Sequence, residues 1–440
     1  MNRTKVLRIP QLESQRRKIQ NKSRGMSYDL RCFGWDGCVV PHTLKAVQTF
    51  VPKWSDLKIL RKKQDTNGED LRLLSTFFHD PTFGPYMPGY TKEKRIDDGS
   101  YGNIYLGTRG IYQPKYGKTN GIIHLERDRS MEEVCIKEVR LRITDEERSG
   151  SPRTCRTAYE EELRCILAEA FLHALVLKVF ETVGNPQRVP KLHEVVGHTR
   201  QGHAANSPQD FESVWMIMEM LHGHTLDRYL RTHLKPITTA TTSAADNEII
   251  ILDILLQLAY TLHILQTRIQ FNHRDIKLNN LFVRQHTDEW VRDLEIEGYG
   301  SYTCKEDITL LDFGFACIGC PVDDSCIINA GSWFEEKDLC FKKDRDLCQF
   351  LYALHASYPL DKYVSAKFYD FISTAMIANN HGLAVNLLYG VNADGAPNLV
   401  PGRVVFDEGI YTFLKNEGVF VPGCEPLKFL VALRDYECHK

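Results

Sequence analysis

Two aspartates, a lysine and an asparagine crowd into the middle of the chain. Lys277 follows Asp275 by two residues, Asn280 by five, and Asp312 closes the apolar run Leu310-Leu311. Carboxylate and amide oxygens are hard donors suited to Mg2+ or Ca2+. A positioned carboxylate can also accept a hydroxyl proton, and a nearby ammonium stabilises an anion that gathers charge as it reacts. The groups belong to two stretches, Phe271-Asn272-His273-Arg274-Asp275-Ile276-Lys277-Leu278-Asn279-Asn280 and Leu310-Leu311-Asp312-Phe313-Gly314, separated by a polar insertion.

His273-Arg274-Asp275, the asparagine five residues on, and Asp312-Phe313-Gly314 at the end of an apolar strand form a composite pattern. It resembles the eukaryotic protein kinase superfamily over roughly residues 93 to 375. The resemblance implies an α+β, bilobal protein-kinase-like fold with a β-rich N-lobe, a helical C-lobe and extensions at both ends. ATP and Mg2+ would lie between the lobes, and a serine or threonine of a protein substrate would be the acceptor. Phosphoryl transfer needs metal ions on the phosphates and an acceptor hydroxyl held in line. Asp275 would take the hydroxyl proton, and Asn280 and Asp312 would hold Mg2+. Lys277 would steady the transferred group, and serine/threonine kinases usually carry a lysine there. His273, Arg274, Phe313 and Gly314 would support the site.

Upstream, Ile96-Asp97-Asp98-Gly99-Ser100-Tyr101-Gly102-Asn103-Ile104 looks like the loop that covers the nucleotide. Gly99 and Gly102 allow the backbone to approach phosphates where a Cβ would obstruct it. Val134-Cys135-Ile136-Lys137 is similar to the strand that carries the phosphate-binding lysine, with Cys135 and Lys137 on one face by the period of two. Cys135 would touch adenine, and Lys137 the α- and β-phosphates. Lys137 then needs a carboxylate on the following helix. Glu169 fits best because Ile166 and Ala170 lie on the apolar stripe, with Glu160, Glu161 and Glu162 as competitors. Trp215 to Leu221 resembles the hinge between lobes, with Met218 as gatekeeper and Glu219 and Leu221 as main-chain contacts. Asp346 matches the aspartate that supports the catalytic loop from beneath.

The chain also departs from the family pattern. Asp97 stands where the first loop glycine is expected, and no Ala-Pro-Glu closes the segment between Asp312 and Asp346; Gly331-Ser332-Trp333-Phe334-Glu335 is the nearest stretch. Insertions are read at about 110 to 131 and 284 to 306. These features resemble divergent kinases such as those of large DNA viruses and some unicellular eukaryotes. Arg274 could pair with a phosphorylated Ser325 or Ser332. Two rivals stand: a catalytically weak kinase-fold scaffold, suggested by Asp97 and the Cys-rich segment, and a small-molecule phosphotransferase, against which Lys277 argues.

Elements must position these residues. Short β-like stretches, Asn103 to Gly107 and Val134 to Val139, flank a polar loop near 110 to 131. Leu163, Ile166, Leu167, Ala170, Ala174 and Leu177 recur at helical spacing before Gly184, and Val214 to Met220 reads as a buried strand. A helix over 248 to 267 would bury Ile249, Leu252, Leu256, Ala259 and Leu262 along one face; another over 346 to 354 would bury Leu347, Phe350, Leu351 and Leu354. Ser207 and the run 238 to 245 mark loops.

The domains expected are a basic arm and N-terminal extension (1–90), a kinase domain (91–375, N-lobe about 91–222, C-lobe about 223–375) and a C-terminal extension (376–440) packed on the C-lobe. The first 24 residues hold eight Lys or Arg; a solvated tail is the plain reading, nuclear import or nucleic-acid contact the alternatives. With 55 Lys plus Arg against 57 Asp plus Glu, net charge −2, the molecule as a whole has no pull toward nucleic acid or anionic lipid. No apolar run of about 18 residues is expected to span a bilayer, nor does the N-terminus carry a secretory core. A cytoplasmic or nuclear location follows. Thirteen cysteines outside a short disulfide framework read as reduced thiols; Cys317-x-x-Cys320 lacks the second close pair of a zinc site.

Overall fold

The computed structural model describes residues 62–64, 70–73, 89–99, 102–116, 123–144, 147, 149–199, 209, 211–237, 244–284, 292–296, 300–319, 326–330, 343, 345–376 and 425–438. The architecture is mixed α and β with antiparallel sheets. Ser100, Tyr101, Ser207, Cys320, Ser325, Ser332, Cys340, the Gly331 to Glu335 stretch and the basic arm lie outside the described residues.

Seven strands make the large sheet: β1 (Lys62–Gln64), β2 (Asp70–Leu73), β3 (Gly89–Gly99), β4 (Gly102–Tyr116), β5 (Ile123–Arg140), β6 (Leu192–Thr199) and β7 (Phe211–Glu219), in the order β1-β2-β6-β7-β5-β4-β3. The polar loop expected near 110 to 131 is instead ladder. β4 and β5 stay paired out to Tyr116 opposite Ile123, with one register shift between Gly110 and Tyr112. Backbone hydrogen bonds carry such arms and leave no apolar alternation to read. The first two strands come from the expected N-terminal extension: β2 pairs with β6, Leu71 opposite His198.

Helix α1 (Pro152–Thr182) crosses between β5 and β6 in sequence. Ser151 caps it, its Oγ accepting from Thr154 N at 3.2 Å, and Pro152 sits where a missing N–H costs nothing. Gly184, at φ 73°, lets the chain turn out of it. Of the expected stripe, Leu163, Ile166, Leu167, Ala170 and Leu177 are buried and Ala174 is half-buried. Each large apolar side chain so buried contributes about 1.5–3 kcal/mol.

After β8 (Gly223–Thr225), α2 (Leu226–His233) leads to α3 (Ala244–Ile269). This helix corrects two expectations. It is the one described helix long and apolar enough to cross a membrane, but 78% of its apolar window is buried inside the protein. It is also buried on all sides from Ile251 to Leu262 rather than along one stripe, while Ile249 in its first turns is 42% exposed. Ala244 and Ala245, expected in a loop, open it.

Beyond α3 come β9 (Phe271–Asn272), a 3-10 turn at Leu278–Asn280, β10 (Leu281–Arg284), β11 (Arg292–Ile296), β12 (Gly300–Cys304), β13 (Asp307–Leu310), β14 (Cys317–Gly319) and β15 (Cys326–Asn329). β10 lies between β13 and β8, and β14 between β15 and β9. The stretch read as an insertion at 284 to 306 includes the β11–β12 hairpin, which buries Leu294, Ile296 and Cys304. Helices α4 (Arg345–Ser357), α5 (Ala366–Met376) and α6 (Pro426–Cys438) follow. Leu347, Phe350, Leu351 and Leu354 are buried as expected. α6 docks on α5 through Phe371 against Phe429 and Tyr436, with ring centroids 6.0 and 4.8 Å apart. One continuous core runs from α1 through α3 to α4, and a second, smaller one holds Val134, Ile136, Val196, Trp215 and Ile217.

Candidate functional site

β5 and α1 deliver a lysine and a glutamate to the same point. Lys137 is buried with its ammonium bonded to the Glu169 carboxylate and 2.8 Å from Asp312 Oδ1. Of the four candidate glutamates, Glu169 is therefore the one that meets Lys137; Glu162 instead accepts from Arg142 N at 3.3 Å. Burial opposes charge on Lys137, but the Asp312 and Glu169 carboxylates outweigh it and hold its pKa above the ordinary lysine value. Burial and the neighbouring Asp312 raise Glu169 against the pull of Lys137. Asp312, although desolvated, is pulled down to about 2 by Lys137 and the Gly314 amide. Two carboxylates facing one ammonium leave an excess negative charge, which suits a cation.

Gly314 packs against the pair: a Cβ there would sit 3.4 Å from both Asp312 Oδ1 and Glu169 Oε2, in van der Waals contact. Asp312 itself holds a left-handed backbone, φ 61°, a conformation non-glycine residues adopt at a cost. Phe313 is buried against His273, Phe271 and His173, with centroids 5.4, 6.1 and 5.0 Å away.

The second half of the site is built from below. Asp346, fully buried at the start of α4, accepts from Asn272 Nδ2 at 3.1 Å, His273 N at 2.8 Å and Arg274 N at 3.0 Å. Those bonds curl the chain after β9 so that Asp275 emerges next to Lys277 and Asn280. Lys277 Nζ donates to Asp275 Oδ2 at 2.7 Å. Asn280 Nδ2 donates to the same oxygen and to the Asp275 carbonyl, both at 2.8 Å. With the amide nitrogen so engaged, the Asn280 side-chain oxygen is the atom suited to a cation. Burial pushes Asp275 above the usual carboxylate range, and Lys277 works against that rise.

The halves are tied together. β10 pairs with β13, Leu281 opposite Leu310, and Leu311 N donates to Asn280 O at 2.9 Å. His273 Nε2 meets Leu311 O at 2.8 Å. Asn280 and Asp312 thus stand at adjoining strand ends, an amide and a carboxylate oxygen of the hard type Mg2+ prefers. Among the described residues no group of three or more His, Cys, Asp or Glu forms a metal cluster. Cys317 and Cys348 are buried.

Above this cluster, the β3–β4 hairpin pairs Asp97 with Ile104, Asp98 with Asn103 and Gly99 with Gly102. A Cβ on Gly102 would come 2.7 Å from Glu138 O. Ile96 is 47% exposed. Ile104 and Cys135 are half-buried, and burial pushes the Cys135 thiol up to about 11. Met218 lies opposite Cys135 on β7, so the expected gatekeeper adjoins the expected adenine contact. Met218, Glu219 and Leu221 are half-buried. The Glu219 side chain is clasped by Arg284 of β10, Nη1 to Oε1 at 2.6 Å, and by Lys191 N at 3.0 Å.

Three contributors escaped sequence reasoning. His173 lies one turn beyond Glu169, bonded to Pro190 O at 2.7 Å; burial drops its pKa to about 4, so it is a neutral ring at physiological pH. Its i+4 spacing from Glu169 was the available signal. Asn329 and Arg284 carried none, because their partners are remote in sequence. Compared with known proteins, the chain matches no protein-family profile and no curated sequence.

Proposed function

We propose that the chain is an ATP- and Mg2+-dependent protein kinase that phosphorylates serine or threonine, with the strands of residues 91–222 as an N-lobe over a helical C-lobe, 223–375. The observation that carries this is the meeting of Lys137, Glu169 and Asp312 beside the Asp275, Lys277 and Asn280 constellation. The donor set fits a hard cation. Mg2+ held by Asn280 and Asp312 would neutralise charge on the phosphate oxygens.

The chain's own residues account for the remaining steps. Lys137, kept charged by two carboxylates, binds and orients the α- and β-phosphates, and Gly99 and Gly102 admit the triphosphate close to the backbone. The substrate hydroxyl oxygen attacks the γ-phosphorus, the bond to the β,γ-bridging oxygen breaks, and ADP leaves with those electrons. Asp275 orients the hydroxyl and takes its proton, while Lys277 stabilises the charge spread over the transferred group. Cys135, Met218, Glu219 and Leu221 line the adenine side.

Transfer of labelled γ-phosphate to casein and to a basic protein, followed by phosphoamino-acid analysis, tests this. Label on serine or threonine that vanishes with EDTA is the expected result. Nucleotide binding without transfer would favour the scaffold alternative, which rests on Asp97, in the β3–β4 hairpin, and on the Cys-rich segment.

A further inference from the structure

Arg274, next to Asp275, is only 1% exposed. A guanidinium withdrawn from water needs acceptors, and its Nη1 donates to Asn329 Oδ1 at 2.9 Å. Its backbone is left-handed, φ 65°, a state a bulky residue keeps only where its surroundings fix it. Arg274 N is bonded to Asp346 on α4, so the residue is held at its amide from one side and at its head group from the other.

Asn329 is itself fixed by the sheet. Cys317 on β14 lies opposite both Asn272 and Asn329, so one row crosses β9, β14 and β15 beside Arg274. Ala330 N donates to Ala316 O at 3.0 Å and extends the pairing past the strand. A phosphate bonded to Arg274 Nη1 would have to take the place of Asn329 Oδ1 there.

We propose that Asn329 is a positioning residue for Asp275: a neutral amide built into β15 occupies Arg274 and sets the catalytic loop without a phosphate on the segment between Asp312 and Asp346. This rests on the kinase function proposed above, and it replaces the expectation that a modified Ser325 or Ser332 serves Arg274.

The test compares wild type before and after treatment with a serine/threonine phosphatase, verified by intact mass, with Asn329→Ala and Asn329→Asp. Phosphate transfer and hydrogen exchange at the amides of residues 273 to 275 are measured on each. Phosphatase-treated wild type keeps its full kcat. Asn329→Ala loses about 10- to 100-fold in kcat, the size of a positioning defect, with KM for ATP unchanged and faster exchange at those amides. Asn329→Asp, which still offers an oxygen to Arg274, stays near wild type in both. Loss of activity on phosphatase treatment overturns the proposal, as does an Asn329→Ala protein with wild-type kcat and exchange. If wild type transfers no phosphate in either state, the kinase function fails and exchange alone judges Asn329, unchanged protection in Asn329→Ala overturning its role. Should Asn329→Ala not fold, the phosphatase comparison decides.

Discussion

Lys137 Nζ lies 2.8 Å from Asp312 Oδ1 although 175 residues separate them, and the same ammonium holds Glu169 of α1. One side chain thus joins the large sheet, the long helix and the segment after β13. Lys137 and Glu169 are buried and Asp312 is half-buried, and two carboxylates sharing one ammonium are in keeping with the cation site proposed above.

Lys137→Met removes the shared cation and leaves the buried Glu169 carboxylate facing the half-buried Asp312. Transfer falls by at least about 100-fold, and stability falls by about 3–5 kcal/mol, the cost of stranding a buried partner. Glu169→Gln in the same protein restores part of that stability, because the two changes share one contact. Urea unfolding of both single variants and the double variant checks this; strictly additive losses would contradict the shared contact.

Lys277 lowers the Asp275 pKa against the rise caused by burial. Removing it in Lys277→Ala moves Asp275 further up, so the acid limb of the kcat profile shifts to higher pH. The direction follows because only the ionised carboxylate accepts the proton, and less of it exists at a given pH when the pKa rises. A pH–rate series on both proteins reads the shift, and an acid limb that stays in place or moves to lower pH counts against Asp275 as the base.

Asp346→Ala strips three donors, Asn272 Nδ2 and the amides of His273 and Arg274, of their acceptor. Bonds to a charged group contribute about 1.5–3 kcal/mol each, so a loss of several kcal/mol is expected. Asp346→Asn, which keeps an oxygen for at least one amide, loses less. Thermal melts rank the two, and equal losses would argue against the carboxylate as the anchor.

Gly102→Ala drives a Cβ to 2.7 Å from the Glu138 carbonyl. The ladder between β4 and β5 has to shift, at a cost of about 1–3 kcal/mol, and KM for ATP rises because the hairpin over the phosphates is displaced. A variant with wild-type stability and KM would show that the hairpin has slack there.

Much of the site could be read from the sequence wherever its parts are contiguous. Asp275, Lys277 and Asn280 share one turn of chain, and Glu169 was singled out among four glutamates by the apolar residues around it. Asp346 followed from the resemblance. What stayed hidden depends on pairing between distant strands: Asn329 reaches Arg274 only because Cys317 pairs with both Asn272 and Asn329. Arg284 meets Glu219 through the β8–β10–β13 sheet, which no local pattern encodes. The extended β4–β5 arms read as a loop in the sequence because ladder hydrogen bonds impose no composition. Ile249 was misplaced for the opposite reason: a helix buried all round has no distinguishing face.

The most direct measurement is transfer of labelled γ-phosphate from Mg·ATP to a protein acceptor by wild type and by Asp275→Asn, with nucleotide binding followed in parallel. Asp275→Asn should bind ATP as wild type does and lose transfer by at least about 100-fold, the scale of general base catalysis. Equal transfer by the two proteins, or no transfer by a folded, ATP-binding wild type, would contradict catalysis by Asp275.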